Sequence, residues 1–332
     1  MKDLDLFIKM LSVDSTSGKE REFAENLCNW LEAESISKYE VGDGTLNLLF
    51  SWGQPKLLFC THLDTVPPYI SPSIENVSDE EIIIHGRGSC DAKGQIFSMY
   101  SACKELANEG LTGFGLLLLS GEETGSFGAK AFDRDCPGYD YLVVGEPTDN
   151  CLISACKGTK SFEVKIDGIS CHSGYPAMGV SAIERFVDFM NVVRSMEFPI
   201  DPILGETTYN VGKLISDNPQ NILSPEVNFR IYCRTTFASD PIVNQKITSL
   251  SNDYIHITPR GGDTPMKYTL YDGISSKTAS FGSDAPVLKK FNHVSICGPG
   301  SILVAHTDRE IIRQSDIEQA INNYKSIAKQ IL

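Results

Sequence analysis

The run Gly-Leu-Leu-Leu-Leu-Ser at residues 115–120 decides the fold of this chain, together with the Gly-Glu-Glu-Thr-Gly-Ser at 121–126 that follows it. The apolar residues are continuous rather than alternating, which is typical of a strand buried on both faces of a sheet. Two further strands are predicted at 56–62 and 140–144, and polar residues follow each of them. Strands of this kind, separated by helices, indicate a largely parallel sheet.

Helices predicted between these strands complete an α/β arrangement. A capping box of Ser17 and Glu20 begins a run of apolar residues at helical spacing, so residues 17–34 are predicted to form an amphipathic helix. Residues 94–106 predict another helix. The fold class expected from this order is a mixed, largely parallel sheet flanked by helices.

The pattern of apolar residues changes near Lys157. Alternating apolar and polar residues there predict a strand with one solvent-exposed face. A helix follows, and its predicted apolar side consists of Met178, Ile183, Phe186, Val187, Met190 and Val193. The remaining elements are predicted at 207–215, 226–235, 241–251 and 254–258, as strand, strand, helix and strand. This split βαβ order predicts an inserted ferredoxin-like α+β domain at 157–265. The first domain then consists of 1–156 plus 266–332.

Composition and charge exclude several classes of partner. The chain has 332 residues and a formal net charge of -14 at pH 7. A surface this acidic repels phosphates, so no nucleic acid and no anionic membrane is expected to bind. The sequence lacks the basic and then apolar pattern of a secretion signal, and no apolar run approaches the roughly 18 residues that span a bilayer. With ten cysteines and no Cys-x-x-Cys pair, the expected location is a reducing cytoplasm.

Ionisable side chains gather where the predicted strands end, which is where open parallel sheets bind ligands. His62 and Asp64 come at the end of the strand at 56–62, and residues two apart in an extended chain point to the same side. His62 can therefore bind a metal while Asp64 orients its ring. Asp91 lies in a glycine-rich turn before a helix, where a carboxylate can bridge two cations.

Three more sets of side chains follow the same rule. Glu122 and Glu123 come directly after the buried strand, where neighbouring carboxylates repel each other unless a cation offsets them. Glu146 ends the next strand and is held extended by Pro147. His306 follows a glycine-rich segment near the end of the chain.

Each of these residues, taken alone, also has an ordinary explanation, such as a surface histidine, a helix cap or a solvated loop. Two imidazoles and three carboxylates at the strand ends of one sheet suit zinc, and also cobalt or manganese. Five ligands suit two metal ions that share one carboxylate. The predicted ligand set is His62, Asp91, Glu123, Glu146 and His306.

The chain resembles the di-zinc family of acetylornithine deacetylase, succinyl-diaminopimelate desuccinylase, aminoacylase and glutamate carboxypeptidase. The matching segments are 61–67, 86–94, 121–125, 145–148, 172–176, 282–286 and 298–306, in family order along nearly the whole chain. The resemblance implies a zinc-peptidase-like catalytic domain with an inserted lid and dimerisation domain. It is closest to the acetylornithine and acetylcitrulline deacetylases, chiefly through the last two segments.

The resemblance assigns each metal ligand. His62 and Glu146 would hold one ion, Glu123 and His306 the other, and Asp91 would bridge them. The glutamate at position 146, rather than an aspartate, resembles the deacylase and carboxypeptidase branch of the family.

The resemblance also assigns catalytic and substrate-binding residues. Glu122 would be the general base, and Asp64 would orient a ligand. In the inserted domain, His172 matches a histidine that reaches a neighbouring subunit's active site, which implies a homodimer. Asn221 and Arg230 match positions that contact the substrate, Arg230 as a clamp for its carboxylate.

The reaction implied is hydrolysis of N-acetyl-L-ornithine to L-ornithine and acetate, a step of arginine biosynthesis. The alternatives within the family are succinyl-diaminopimelate desuccinylase, acetylcitrulline or acetyl-lysine deacetylase, and a dipeptidase or tripeptidase. A cysteine hydrolase using Cys171 beside His172 is a different chemistry, and a metal-binding scaffold without turnover is a third class.

Two positions depart from the family pattern. Ala92 stands where relatives often have methionine after the bridging aspartate. Near the C-terminus, Arg309 replaces an acidic residue, although Glu310 keeps its place. The surroundings of His306 are therefore left open by the sequence.

Overall fold

The computed structural model describes residues 3–42, 44–78 and 80–332. The chain divides into two units. The first comprises Met1–Ser154, Tyr268–Lys277 and Ser283–Leu332, and the second comprises Ala155–Lys267 and Thr278–Gly282.

The elements of secondary structure are numbered in chain order. The helices are α1 (Leu4–Leu11), α2 (Glu20–Trp30), α3 (Lys93–Asn108), α4 (Phe127–Asp135), α5 (Ala182–Arg194), α6 (Asp240–Thr248) and α7 (Gln314–Ile331). The first strands are β1 (Ser35–Glu40), β2 (Leu46–Trp52), β3 (Leu57–His62), β4 (Ser73–Asn76), β5 (Ile82–His85), β6 (Phe114–Leu119), β7 (Tyr139–Val144) and β8 (Leu152–Cys156). The later strands are β9 (Gly158–Asp167), β10 (Thr208–Ile215), β11 (Glu226–Thr235), β12 (Ile255–Gly261), β13 (Met266–Lys267), β14 (Ser276–Ala279), β15 (Phe291–Ile296) and β16 (Ile311–Arg313).

The main sheet has six strands in the order β1-β2-β6-β3-β7-β15. Strand β6 contains the leucine run and is buried along its whole length, as predicted. The pairs β3–β6, β3–β7 and β7–β15 are parallel, whereas β1–β2 and β2–β6 are antiparallel. The predicted fold class, a mixed and largely parallel sheet flanked by helices, is therefore confirmed. Two three-stranded sheets have the orders β16-β5-β4 and β13-β8-β14.

The core of the first unit lies between this sheet and its helices. Along α7, Ile317, Ala320, Tyr324 and Ile327 recur every three or four residues and are all buried, as expected for an amphipathic helix. The Tyr324 ring lies 5.5 Å from the ring of Phe59 on β3. Its hydroxyl donates a hydrogen bond of 2.8 Å to a main-chain carbonyl, which satisfies the one polar atom that this side chain brings into the core.

The start of α2 differs from the sequence prediction. The helix spans Glu20–Trp30 rather than 17–34, and its N-terminus has no side-chain cap. The hydroxyl of Ser17 instead donates to the carboxylate of Asp64 at 2.9 Å, while the carboxylate of Glu20 accepts from the main chain of Gly18 at 2.7 Å. The predicted capping box is wrong because the hydroxyl of Ser17 donates its hydrogen bond to Asp64, which is distant in sequence, and not to the helix N-terminus.

The second unit contains the predicted split βαβ order. Its four-stranded sheet has the order β10-β11-β9-β12, with antiparallel pairs throughout. Phe162, Val164 and Ile166 on β9 are buried against α5 and α6, and the residues between them are more exposed. The alternation of apolar and polar residues thus predicted the buried face of β9 correctly. The strand order of the sheet is ferredoxin-like.

The apolar side predicted for α5 is only partly correct. Phe186, Met190 and Val193 pack into the core of the second unit. Ile183 and Val187 are exposed on the same helix. Met178 lies outside α5, in a short 3-10 turn at Pro176–Met178, and is also exposed. A helix with apolar residues on both sides gives an ambiguous pattern, and only packing decides which side is buried.

Two findings bear on the expected environment of the chain. All ten cysteines are free thiols. None of the helices in the described ranges combines the length and the hydropathy needed to cross a membrane.

Asn47, a fully buried residue on β2, joins the end of β6 to α4. Its side-chain oxygen accepts from Ser120 at 3.0 Å, and its amide donates to the carbonyl of Gly128 at 2.8 Å. Asn47→Ala is expected to lower the free energy of unfolding by about 2–4 kcal/mol, because two buried main-chain groups lose their partners. Denaturant unfolding of both proteins measures this.

Asn29→Ala is the matched control. The amide of Asn29 donates to a main-chain carbonyl at an exposed position, so this variant is expected to change stability by less than about 0.5 kcal/mol. Equal stabilities of the two variants would contradict the role given to Asn47.

Candidate metal centre and active site

The candidate ligands of the first unit lie where the parallel strands end. His62 is the last residue of β3, Glu123 lies in the turn after β6, and Glu146 follows β7. Asp91 lies in the turn that leads into α3, and His306 lies in the loop after β15 with a φ of 63°. Because the carboxyl ends of parallel strands share one edge of the sheet, distant segments meet there.

Asp91 lies between the two imidazoles. Its Oδ1 is 3.0 Å from Nε2 of His62, and its Oδ2 is 3.2 Å from Nε2 of His306. Nε2 of His306 is also 2.8 Å from Oε1 of Glu123. His62, Asp91 and Glu123 each offer one ligand atom, and these atoms all lie within 4.8 Å of one another. Each oxygen of Asp91 therefore faces a different histidine, as a bridging carboxylate requires.

These distances fit metal coordination. Ligand atoms about 2.0–2.2 Å from one tetrahedral ion lie roughly 3.3 Å from each other. The separations between Asp91 and the two imidazoles are close to that value. Burial acts to raise the pKa of Asp91, but the hydrogen bonds from His306 and His62 outweigh it and lower the pKa. The residues present thus suit divalent ions with nitrogen and oxygen ligands.

Glu146 is the fifth metal ligand predicted from the sequence. Its carboxylate is buried in the first unit, with 4% of the residue exposed. Burial, followed by the negative charges of Asp91 and Glu122, raises the pKa of Glu146 well above its usual range. A cation bound at this site would offset the negative charges that act on Glu146.

The charge of the cluster also favours cations. The imidazoles of His62 and His306 interact electrostatically with a group of six carboxylates. These belong to Asp64, Asp91, Glu122, Glu123, Glu146 and Asp284. Burying this excess of negative charge is costly unless positive charge offsets it. Two divalent cations would supply four positive charges, which is of the magnitude needed.

The orientation of His62 is fixed by Asp64, but differently from the sequence prediction. Nδ1 of His62 lies 2.9 Å from the main-chain oxygen of Asp64 and 3.4 Å from its carboxylate. The main-chain oxygen is the closer acceptor, so Nδ1 donates there and Nε2 is left facing Asp91 as a ligand atom.

The carboxylate of Asp64 has a second task that the sequence did not predict. It accepts from the main-chain N–H groups of Glu122 at 3.0 Å and Glu123 at 3.2 Å, as well as from the hydroxyl of Ser17. The turn begins at Gly121, with a φ of 72°, where an added Cβ would lie 1.7 Å from the ring of Phe127. Only glycine fits there. Gly121 and Asp64 therefore together fix the main-chain conformation that orients Glu122 and Glu123.

The carboxylate of Glu122 accepts no hydrogen bond from the part of the chain that the structure describes. Burial raises its pKa to about 8, and the charges of Asp284, Glu123 and Asp91 add to this against the opposing effect of His62. A half-buried carboxylate with a raised pKa and no fixed partner is suited to accept and release a proton.

Asp284 belongs to this cluster, although no role was predicted for it. It lies in the matching segment 282–286, is 2% exposed, and leaves Oδ1 without a partner among the described residues. Burial raises its pKa to about 6, and the charges of His62 and Asp64 act on it in opposite directions. The signal that could have identified it was its position in a matching segment.

The remaining predicted residues lie in the second unit. His172 and Asn221 are on adjacent loops, joined where the N–H of Ser173 donates to the carbonyl of Asn221 at 2.9 Å. Arg230 lies on β11, where Nη2 donates to Glu163 on β9 at 2.7 Å. The structure thus brings His172 and Asn221 together and gives Arg230 a carboxylate partner of its own.

Cys171 and His172 do not use each other as partners. The thiol of Cys171 donates to the carbonyl of Tyr175 at 3.4 Å, and Nδ1 of His172 accepts from the N–H of Gly174 at 3.0 Å. A cysteine hydrolase needs the thiol paired with the imidazole. This arrangement argues against that alternative.

Comparison with known proteins agrees with the geometry. The family model described as "Peptidase family M20/M25/M40" matches residues 58–330. A "probable carboxypeptidase" of Emericella nidulans is 31% identical over 373 residues, which cover 98% of this chain and 88% of that protein. A tripeptidase of Staphylococcus aureus superposes with a TM-score of 0.78 at 19% identity, covering 98% of this chain and 95% of the other.

A third similarity concerns metal binding. The Bacillus subtilis YxeP protein, described as "a dinuclear metal binding peptidase from M20 family", superposes with a TM-score of 0.69 at 11% identity. It covers 99% of this chain and 98% of the other. The family match extends over most of the chain and includes the strand ends at which the candidate ligands converge. The chain therefore belongs to peptidase family M20/M25/M40 and is a metal-dependent amide hydrolase.

Proposed function

We propose that this enzyme hydrolyses the amide bond of an N-acyl amino acid, with N-acetyl-L-ornithine as the first substrate to test. The observation that supports this proposal is the convergence of four side chains, His62, Asp91, Glu123 and His306, beside the unpartnered carboxylate of Glu122. The products expected from acetylornithine are ornithine and acetate.

We propose two divalent ions, zinc or cobalt, as cofactors. His62 and Glu146 would hold one ion, Glu123 and His306 the other, and Asp91 would be shared. When bound, such ions polarise the acyl carbonyl and lower the pKa of water, so that a nucleophile forms near neutral pH.

Glu122 would act as general base and then as general acid. It takes a proton from the attacking water as oxygen bonds to the acyl carbon, and it gives this proton to the nitrogen as the carbon–nitrogen bond breaks. Asp64 supports both steps because it holds the main chain of Glu122 and orients His62. Removal of the carboxylate of Glu122 should therefore abolish turnover without removing a ligand.

The first unit would be the catalytic domain and the second the lid and dimerisation domain. In the lid, His172 would donate to the oxyanion that forms on the acyl oxygen. Asn221 would contact the substrate, and Arg230 would bind its carboxylate. A guanidinium has five N–H donors, so Arg230 can keep its bond to Glu163 and still bind a substrate carboxylate.

A carboxypeptidase that cleaves short peptides is the second candidate. The Emericella relative that is 31% identical is named a probable carboxypeptidase. Such a substrate has the same local chemistry, because the scissile amide joins an acyl group to an amino acid with a free carboxylate. The two candidates differ only in what lies on the acyl side of the bond.

A turnover screen with zinc or cobalt added separates these candidates. The substrates are the N-acetyl forms of ornithine, citrulline and lysine, N-succinyl-diaminopimelate, dipeptides and tripeptides, with release of free amine as the readout. Acetylornithine is expected to have the highest kcat/KM. A higher value for peptides would establish the carboxypeptidase or peptidase alternative, and no turnover of any amide by metal-loaded protein would overturn the proposed function.

We also propose a homodimer in which His172 serves the partner's active site. The exposed apolar side chains of Ile183 and Val187 on α5 support an interface on the second unit. A dimer assembled from His172→Ala and Glu122→Gln chains would contain one site with both functional residues. Refolding the two inactive variants together is expected to restore about a quarter of wild-type activity.

Each variant refolded alone is the control for this experiment. If the mixture remains as inactive as its components while light scattering shows dimers, His172 acts within its own subunit. Full activity of His172→Ala alone would remove His172 from the mechanism. A monomer in light scattering would contradict the proposed dimer.

A further inference from the structure

Glu310 is a buried residue of the first unit, and its carboxylate accepts hydrogen bonds from the turn that contains Asp91. Its Oε1 accepts from three main-chain N–H groups, those of Gly88 at 3.0 Å, Cys90 at 3.1 Å and Asp91 at 3.0 Å. Only 2% of Glu310 is exposed. Three donors aimed at one buried oxygen fix the path of the main chain, so the position of the Asp91 carboxylate depends on Glu310.

Arg87 connects this turn to the loop of His306. Its Nη1 donates to Oε2 of Glu310 at 2.5 Å and to the carbonyl of Thr307 at 3.1 Å. Its Nε donates to the carbonyl of Pro68 at 3.2 Å. Both side chains of the ion pair are almost completely buried. The pair therefore ties three separate segments together, and two of them carry candidate metal ligands.

The same segments set the distance between Asp91 and His306. Oδ2 of Asp91 lies 3.2 Å from Nε2 of His306, and this separation is what two ligands of one ion require. His306 precedes Thr307, which is bonded to Arg87, and Asp91 is bonded to Glu310. A shift of either loop would change this separation.

We propose that the buried Arg87–Glu310 pair is a positioning device that holds Asp91 and His306 at metal-binding distance. This inference rests on the proposed two-metal function. Stability alone does not require such a pair, because a buried ion pair can often be replaced by apolar residues without loss. Partners behind the direct ligands typically contribute about 10–100-fold to metal affinity.

The test is a metal titration of chelator-treated protein, with zinc in competition with a chromophoric chelator and cobalt followed by its visible spectrum. Glu310→Gln keeps one acceptor oxygen but places an amide against Arg87. Arg87→Lys keeps the buried charge but cannot reach all three acceptors. Both variants are expected to bind metal about 10–100-fold more weakly, with an altered cobalt spectrum.

Arg309→Gln is the matched control, because Arg309 is the neighbour of Glu310 and its side chain is 87% exposed. Its affinity for metal is expected to stay within about twofold of wild type. Thermal unfolding of the metal-free proteins separates positioning from stability. A Glu310→Gln protein that is less stable but binds metal as tightly as wild type, with the same spectrum, would show a merely structural pair and overturn the proposal.

If Glu310→Gln does not fold, Arg87→Lys decides by the same criterion, since it retains the charge that neutralises Glu310. Failure of the proposed function has a different signature. Wild-type protein that binds two metal ions yet cleaves no amide overturns the function but leaves the titration result intact. Wild-type protein that binds no metal overturns both.

Discussion

Glu122→Gln is expected to lower kcat by at least about 10²–10⁴-fold while the protein keeps its metal. Glutamine has nearly the same shape as glutamate, and the main-chain bond of this residue to Asp64 does not involve the side chain. The amide cannot take a proton from water, so the first step of hydrolysis loses its base. Steady-state kinetics on the best substrate of the screen, together with metal content by mass spectrometry, measure the effect.

Glu25→Gln is the control for this experiment, because Glu25 is an exposed glutamate of the same unit. It is expected to leave kcat and metal content unchanged. Full activity of Glu122→Gln with two bound ions would remove Glu122 from the mechanism, whereas loss of metal together with activity would make it a ligand rather than a base.

The metal-free protein is expected to lose stability as the pH rises from about 5 to about 9. Burial raises the pKa of Glu122 from 4.5 to about 8, and the hydrogen bonds with Asp91 and Glu123 raise the pKa of His306 from 6.5 to about 10. Both groups hold protons more tightly in the folded chain. The stability they contribute is therefore complete below their unfolded values and is lost as the pH rises through their folded values.

The expected slope for Glu122 is at most about 1.4 kcal/mol per pH unit between pH 4.5 and 8. His306 adds a smaller loss in the same direction between pH 6.5 and 10, because its exposed half is screened by solvent. Bound divalent ions favour the deprotonated carboxylates and neutral imidazoles, so they are expected to raise the unfolding midpoint and flatten its pH dependence.

Thermal unfolding between pH 5 and 9, with a chelator or with zinc, measures this dependence. His306→Gln in the presence of chelator is expected to reduce the slope above pH 6.5 and to leave the lower part unchanged. A midpoint that rises with pH in the metal-free protein would contradict the assignment of these raised pKa values.

Parts of the fold were predictable because their sequence patterns are strong. The leucine run of β6 and the alternation on β9 each have one reasonable interpretation, and both strands are present. Four elements, α1, β1, β2 and α4, were not predicted. Strand β1 is exposed at every residue, so it has no buried face and no periodicity to detect. Its place at the sheet edge comes from pairing with β2.

The candidate site follows the same division. His62, Asp91 and Glu123 stand beside recognisable strand ends or glycine turns, so the residue types and the order of elements were enough to group them. The bonds of Asp64 to the turn of Glu122, and of Glu310 to the turn of Asp91, were not visible. They join residues far apart in the chain through main-chain N–H groups, which every residue has and no sequence pattern marks.

The sequence by itself determined the fold class, the family and the chemical types of the metal ligands, because these depend on local patterns and on short motifs in a fixed order. Only the tertiary structure decided which atoms face each other: the two oxygens of Asp91 toward His62 and His306, and the buried carboxylates that hold their loops. Such distances result from the packing of helices on the sheet and from the parallel order of its strands, and these arise only when the whole chain is folded.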